Sequence, residues 1–230
     1  MKLTLEIRAA EGGEDSKLFV RDLADAYIRY FNRVGWLHRI VDRRDGEIHI
    51  EVSGGNDLSK LKNECGGHRI QRVPPTERKG RVHTSTVTVA VITNNAGPET
   101  TEKSFEIPDK DIKIEWFSGT GAGGQHRNKH QNSCRLTHIP TGTIETAQTR
   151  SREGSYRAAL ESLKKKIYNE SARKANNEIS LIRKEQVGSG MRGDKIRTYR
   201  FRDNIVKDDI SGKTASCDKI MKGNFDLLWR

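Results

Sequence analysis

The sequence predicts an α+β fold in two units. One is an α/β sandwich-like unit, and the other combines a small sheet with a long helix. In the first hundred residues a helical pattern lies between alternating strand patterns, and in the second half a long basic helical pattern follows a short group of strands. A chain of 230 residues has room for one large domain or two small ones.

The elements of the first unit follow from local periodicity. Residues 3–8 alternate apolar and polar or charged side chains, which predicts a half-buried strand. A turn and the acidic residues 14–15 open a helix, as the helix dipole favours, and Gly35 ends it. Further strands are predicted at 48–52 and 87–91. The apolar positions of the helix are Leu18, Phe19, Leu23, Ala26, Tyr27, Tyr30 and Val34.

The second unit begins after the polar, turn-rich residues 93–104. Strands are predicted at 112–116, about 134–139 and 142–148, and one long helix is predicted from Ser151 to about Gln186. The apolar positions of this helix are Leu160, Leu163, Ile167, Ile179 and Ile182.

Three segments therefore make up the predicted domain organisation. Residues 1–110 form the first domain and residues 111–189 form the second. Residues 190–230 are too few to bury a core alone, so we expect them to pack on the first domain.

Composition narrows the function classes. Lys and Arg exceed Asp and Glu by 11, and the surplus is spread over the chain, so a nucleic acid is the first partner to consider. No apolar stretch is long enough to span a membrane, and the N-terminus has no signal-peptide pattern. Cys65, Cys134 and Cys217 lie far apart, so we expect neither disulfides nor a metal site, which fits a reducing cytosol.

Residues 119–124 match the GxGxxG pattern of dinucleotide-binding folds, and a predicted strand precedes them. That fold needs a helix with an apolar face to begin in the loop, but residues 125–132 are all polar. We therefore expect no cofactor. The glycines suit a close backbone approach to a ligand, with N–H groups directed at a developing negative charge. From composition alone, a mobile surface loop is the favoured alternative.

Two longer motifs resemble a known family. Residues 118–126 read SGTGAGGQH and residues 137–142 read THIPTG, which is similar to the GGQ region of bacterial-type class I peptide chain release factors. Residues 65–77 read CGGHRIQRVPPTE and residues 80–85 read GRVHTS, which resembles the codon-recognition segment of release factor one. The resemblance covers nearly the whole chain, although Met1 falls on the first strand, where the family normally has a preceding helical domain.

The resemblance implies that the second domain is catalytic. In the family, a GGQ tripeptide promotes hydrolysis of the peptidyl-tRNA ester while the ribosome supplies much of the active site, so the chain is an enzyme only together with the ribosome. By this resemblance the tripeptide is Gly123, Gly124 and Gln125. Gln125 is also the residue that a glutamine methyltransferase modifies in many members. No metal is implied.

The same resemblance implies that the first domain reads UAA and UAG. Residues 74–76 match the PxT tripeptide, whose prolines hold the threonine in place before binding. A histidine ring can stack on an unpaired base, and helix N-terminal N–H groups suit carbonyl oxygens. The implied codon-binding residues are Gly12, Gly13, Gln71, Pro74, Pro75, Thr76, His83 and Thr84. Gln71 and Thr84 match positions that meet the third base, and Gly12 and Gly13 match the reader of the first uridine.

The resemblance implies translation termination by a cytoplasmic monomer that binds the ribosome, including its rRNA, the mRNA stop codon and peptidyl-tRNA, and no membrane. A stop-codon-independent ribosome rescue hydrolase is the nearest alternative, because it shares GGQ, but its known forms lack the PxT segment. A non-catalytic RNA-binding decoy is a rival from another class, and the intact tripeptide argues against it.

Overall fold

A computed structural model describes residues 2–55, 57–93, 105–119 and 129–229. The chain divides into two compact units. Unit 1 comprises Met1–Ala96 together with Glu178–Arg230, and unit 2 comprises Gly97–Asn177. Each is a mixture of helix and sheet, so the predicted α+β class, with a large sheet in one unit and a small sheet with a long helix in the other, is confirmed.

Unit 1 is built on one large sheet with eight described strands: β1 (Lys2–Ala9), β2 (Leu37–Arg44), β3 (Glu47–Ser53), β4 (Gly66–Arg72), β5 (His83–Thr93), β9 (Arg197–Arg200), β10 (Ile205–Asp208) and β11 (Thr214–Ala215). Their order in the sheet is β11-β10-β9-β4-β5-β1-β3-β2. Neighbouring strands are antiparallel, except that β4 and β9 are parallel.

Helix α1 (Glu14–Val34) packs against this sheet. It begins after Gly13 with two acidic residues, and it ends at Gly35, whose φ of 72° is the left-handed conformation that glycine adopts readily. The predicted start and end of the helix are therefore confirmed. Its buried apolar residues, which recur at helical spacing, are Phe19, Val20, Leu23, Ala24, Ala26, Tyr27, Tyr30 and Phe31.

The C-terminal segment closes the core of unit 1. It contains the short helix α3 (Cys217–Met221) and a 3₁₀ turn (Phe225–Leu227). The ring of Phe225 stacks on Tyr27 with centroids 4.5 Å apart, and the Trp229 ring meets Tyr30 edge-on at 5.0 Å. Such aromatic pairs bury large apolar areas, so the last residues complete the core that α1 and the sheet begin.

A charged network lies inside this core. The fully buried Arg197 donates to Glu64 at 2.5 Å and to Asp208 at 2.9 and 3.1 Å. The Tyr27 hydroxyl donates to the same Glu64 carboxylate at 2.6 Å, and the Trp229 indole N–H donates to it as well. A buried charge is tolerated only when it is paired and hydrogen-bonded, so these partners must occupy fixed positions.

Unit 2 contains a three-stranded antiparallel sheet in the order β6-β7-β8, made of Ile112–Phe117, Ser133–His138 and Ile144–Gln148. Its core joins the sheet to helix α2 (Arg152–Val187). The buried apolar side chains of that core are Ile107, Cys134, Leu136, Ala159, Leu163 and Ile167.

Helix α2 runs from unit 2 into unit 1, because the division falls between Asn177 and Glu178. Its described buried residues all lie in the first half, at Ser155, Ala159, Leu163 and Ile167. Ile179 and Ile182, which the apolar pattern included, are only half-buried. The sequence-based division fell at 110/111 and 189/190. The structural units divide earlier, since Ile107 belongs to the second core while Arg183 and Gln186 contact strands of unit 1.

None of the helices that the structure describes combines the length and the apolar character needed to cross a membrane.

Candidate functional site

The hairpin of β4 and β5 carries most of the predicted codon-binding residues. Gln71 is paired with Thr84 near the loop end of the hairpin, where residues 73–82 connect the two strands. Pro74 is buried, whereas Pro75 and Thr76 are exposed. The N–H of Glu77 donates to the carbonyl of Pro74 at 3.0 Å, which closes a reverse turn. The turn therefore exposes Thr76 to solvent, while the buried Pro74 anchors the turn to the protein.

Glu77 holds this loop from within. One carboxylate oxygen accepts the backbone N–H of Lys79 at 2.7 Å. The other accepts from Arg81 at 2.9 and 3.1 Å and lies 2.8 Å from Nε2 of His83. The N–H of Lys79 and the hydrogen bond from Arg81 lower the pKa of Glu77 to about 2. The carboxylate therefore stays ionised and organises the loop, although sequence reasoning gave it no role.

The register distributes the candidate residues over two faces of the hairpin. Cross-strand partners share a face, and neighbours along a strand point to opposite faces. Gln71 and Thr84 form one pair, while Arg72 and His83 form the next. The His83 side chain is 43% exposed. The predicted codon-binding residues therefore lie on both faces of the hairpin end.

The start of helix α1 lies beside this hairpin. Gly12 and Gly13 have φ values of +124° and +59°, which side chains other than glycine rarely adopt. A Cβ on Gly12 would stand 2.3 Å from the hydroxyl oxygen of Ser85 in β5. Gly13 is the residue before the first helical turn, where backbone N–H groups have no partner within the helix. These groups can donate to an acceptor.

A buried carboxylate joins the helix start to the hairpin. Asp15 accepts from the Ser85 hydroxyl at 2.9 Å and from Nε of Arg72 at 2.8 Å. Nη1 of Arg72 also donates to Asp22 at 2.7 Å. The structure therefore brings Gly12 and Gly13 next to the other candidate residues. Sequence reasoning missed Asp15, Arg72 and Ser85, and its only signal was an acidic residue in the first helical turn.

The predicted catalytic residues Gly123, Gly124 and Gln125 lie outside the described residues. Described residues do flank them: Phe117 ends β6, Ser133 begins β7, and these two residues are paired. The guanidinium of Arg152, at the start of α2, lies 4.3 Å from the ring centroid of Trp116. In the sequence, the tripeptide thus lies between two strands that are paired with each other, β6 and β7.

The start of α2 lies close to the same end of this sheet. The hydroxyl of Ser151 accepts the N–H of Gly154 at 3.0 Å, which caps the helix. Ser155 Oγ accepts the N–H of Thr149 at 2.8 Å, directly after β8. The end of β8 is paired with Ser133, the first residue of β7. The end of β8, the start of β7 and the start of α2 are therefore held together at one end of the sheet.

Comparison with known families gives two matches. A model described as PCRF domain matches residues 1–89, and a model described as RF-1 domain matches residues 99–209. Together they include the loop end of the hairpin, the helix start and the predicted catalytic tripeptide.

Curated relatives carry the name peptide chain release factor 1. The protein of Lactiplantibacillus plantarum is 40% identical over 232 residues, which cover 97% of this chain and 63% of that protein. The protein of Acetivibrio thermocellus is 42% identical with the same coverage. The Thermotoga maritima protein is 41% identical over 99% of this chain and 67% of its own length. The chain thus spans about two thirds of the length of these relatives.

A solved structure, RF2 of Thermus thermophilus, matches with a TM-score of 0.53 and 29% sequence identity. The match covers 99% of this chain and 66% of that one.

Proposed function

The chain belongs to the peptide chain release factor family, and from that premise we propose that it terminates translation by reading UAA and UAG and promoting hydrolysis of the peptidyl-tRNA ester. The observation that carries the codon-reading part is the joining of the PxT turn, the Gln71–Thr84 pair and the glycines before α1 at one end of one sheet.

The PxT turn supports the reading of the first two bases. A hydroxyl group both donates and accepts hydrogen bonds, so Thr76 can satisfy a base edge, and Pro74 reduces the ordering needed on binding. Glu77 fixes the turn and contacts His83, whose exposed ring is available for stacking on an unpaired base. The N–H groups after Gly13 suit the carbonyl oxygens of a first uridine.

The pairing of Gln71 with Thr84 supports separate reading of the third base. The two side chains share the face opposite to His83, so a base held there is separated from the bases stacked on the histidine ring. An amide and a hydroxyl can both reverse their hydrogen-bonding roles, which allows the pair to accept adenine or guanine. This tolerance fits UAA and UAG.

Gly123, Gly124 and Gln125 are the proposed catalytic residues. Two glycines permit a backbone turn that a Cβ would obstruct, and the Gln125 N–H would stabilise negative charge on the reacting or leaving oxygen. The ribosome would supply the remaining groups, so no base or metal from the chain is needed. Gln125 is the proposed substrate of a glutamine methyltransferase. The protein would act in the cytoplasm, as a monomer on the ribosome.

Peptide release from programmed ribosomes tests the proposal. We expect fast single-turnover release with UAA or UAG in the A site, slow release with UGA, and none with a sense codon. Thr76→Ala should raise the concentration needed for half-maximal release, whereas Thr214→Ala, a matched change at an exposed threonine of β11, should not. Equal release on an empty A site would contradict codon reading and support the rescue hydrolase instead.

The net charge of +11 gives a second readout of ribosome binding. Basic groups that neutralise phosphates release counterions, so affinity should fall steeply as salt is added. An affinity that does not change with salt concentration would contradict an interface made largely with rRNA.

A further inference from the structure

The helix start and the codon-reading hairpin are held together by one buried group of side chains. We propose that Asp15, Arg72 and Ser85 are positioning residues that set the discrimination of the first codon base by fixing the glycine turn before α1 against β4 and β5. This inference rests on the proposed function. None of the three needs to touch the codon, because they act through the backbone of Gly12 and Gly13.

Ser85 sets the distance between the glycine turn and strand β5. The space that a Cβ on Gly12 would occupy is filled by Ser85, whose hydroxyl donates to Asp15 at 2.9 Å. Just before the turn, the Glu11 carbonyl accepts the N–H of Thr86 at 2.6 Å, and the N–H of Ala10 donates to the Thr86 carbonyl at 3.0 Å. The chain is therefore fixed to β5 immediately before the turn and, through Asp15, immediately after it.

Arg72 fixes the same helix to the other strand. Its side chain is 11% exposed, and its guanidinium lies 5.7 Å from the ring centroids of both Phe19 and Phe201. Nε donates to Asp15 and Nη1 donates to Asp22, about two turns further along α1. Because Arg72 is the last residue of β4, directly before the PxT loop, this geometry couples the helix start to that loop.

Discrimination at the first base depends on this geometry. Uracil presents carbonyl oxygens to a donor, whereas cytosine carries an amino group where uracil has O4. A fixed N–H group can donate to O4 of uracil. With cytosine the same N–H group faces an amino group, and both donors are left without an acceptor. Hydrogen-bonding sites reject near analogues in this way. If the N–H donor can move, the site rejects cytosine less strongly. The third base should be unaffected, since Gln71 and Thr84 lie on the opposite face.

Ser85→Ala is the test, measured as single-turnover release on UAA, UAG and CAA codons. We expect the UAA-to-CAA ratio of release efficiency to fall about tenfold, in line with loss of a hydrogen bond to a charged group. The UAA-to-UAG ratio and the saturating rate on UAA should stay within twofold of the unmodified protein. Ser59→Ala is the matched control, because the Ser59 hydroxyl also donates to an aspartate, Asp57, at 2.5 Å, but Ser59 is exposed and lies in the 3₁₀ turn Leu58–Glu64, outside the hairpin and the helix start. It should change neither ratio.

Asp15→Asn provides a second variant, which keeps the shape of the side chain and should lower the UAA-to-CAA ratio in the same direction. Titrating the active fraction separates misfolding from positioning, because misfolding lowers the amplitude of release without changing a ratio between codons. Unchanged ratios in both folded variants would overturn the inference.

Failure of the proposed function gives a different result. In that case the unmodified protein itself would release no peptide at any stop codon, and the codon-reading role of this group would fall with it. Amide hydrogen exchange at residues 10–16, which Ser85→Ala should accelerate, would then report a purely structural network.

Discussion

The two units bury different kinds of side chain. Among the described residues, the buried carboxylates and guanidinium all lie in unit 1, at Glu6, Asp15, Glu64, Arg197 and Asp208. In the part of unit 2 that the structure describes, the core consists of six apolar side chains that join three strands to one face of α2, and the buried polar side chains around it are hydroxyl groups and His138.

This difference fits the proposed division of labour. A buried ion pair contributes little net stability, but it requires its partners to keep one arrangement. Such a constraint is useful where bases are distinguished by the positions of donors and acceptors, as proposed for unit 1. Unit 2 is proposed to carry a backbone-centred catalytic loop within a site that the ribosome completes, and an apolar core is sufficient to hold the strands on either side of it.

The largest expected effect separates chemistry in unit 2 from reading in unit 1. Gly124→Ala adds a Cβ that blocks the proposed backbone turn and displaces an aligned N–H. Losing one such donor typically lowers a rate by about 10²–10³-fold. We therefore expect the saturating release rate on UAA to fall by this factor while binding to stop codons is nearly unchanged.

Thr76→Ala is the reciprocal variant, and it should weaken stop-codon binding with little effect on the saturating rate. Single-turnover release at saturating protein distinguishes the two. Recovery of the full rate by Gly124→Ala at saturation would show that the loop only docks the protein.

A cavity in the core of one unit should destabilise that unit and leave the other unit stable. Leu163 in unit 2 and Leu23 in unit 1 are both fully buried, and a Leu→Ala change at such sites costs about 2–5 kcal/mol. We expect Leu163→Ala to accelerate amide exchange within residues 105–119 and 129–177 while the large sheet stays protected. Leu23→Ala should have the converse effect. Equal loss of protection in both units from either variant would show that they unfold as one body.

Much of the fold could be predicted because its signals are local. Alternation predicted β1, β3 and β5–β8, and the acidic start and Gly35 defined α1. Strand β2 was missed because it is a mostly exposed edge strand with a bulge between Ile40 and Asp42, so it has no clean alternation. Strand β4 was missed because it begins with two glycines and buries His68, and the short strands β9–β11 depend on partners far away in sequence.

The site was predictable where a contiguous motif exists and missed where three-dimensional contacts create it. PxT and the glycines before α1 are visible as sequence patterns. Asp15 is separated in sequence from Arg72 by 57 residues and from Ser85 by 70 residues, so no local sequence pattern predicts these contacts. Glu77 looked like one acid among cations, and only the folded loop shows that it binds three of its neighbours.

The buried network of unit 1 predicts a pH dependence of stability. Burial, followed by the charge of Arg197, lowers the pKa of His68 to about 4. The unfolded chain takes up this proton near pH 6.5, so between that pH and about 4 protonation favours unfolding. The free energy of unfolding should fall as pH is lowered through this window, by up to about 1.4 kcal/mol per pH unit.

Urea denaturation at pH 7.5, 6.5 and 5.5 measures this effect, with His68→Gln as the control. The glutamine amide can donate to the Glu64 carbonyl and accept from Tyr199, as the neutral histidine does at 2.9 and 3.1 Å, but it does not titrate. The variant should lose part of the slope. An identical slope would show that His68 is not the group responsible.

The smallest expected effect concerns the end of α2 that lies in unit 1. This end uses polar contacts where the first half of the helix uses apolar ones. Gln186 accepts the N–H of Val91 at 2.7 Å and donates to the carbonyl of Val91 at 2.9 Å, so its amide pairs with β5 as a neighbouring strand would. Strand β4 does not reach Val91, because its pairing with β5 begins at Val89.

Gln186→Leu removes both hydrogen bonds at a half-buried site, and at about 0.5 kcal/mol each, the low end of the usual net range, it should cost about 1 kcal/mol and raise amide exchange at Val91 about fivefold. Glu185→Leu is the matched control, since Glu185 is exposed on the same helical turn and has no described hydrogen bond. Heteronuclear NMR exchange rates at Val91 and at Val89, which retains its β4 partner, would locate the effect. If Val89 and Val91 accelerated equally, the glutamine would be stabilising the whole strand, and the distinction between the polar and apolar halves of α2 would not hold.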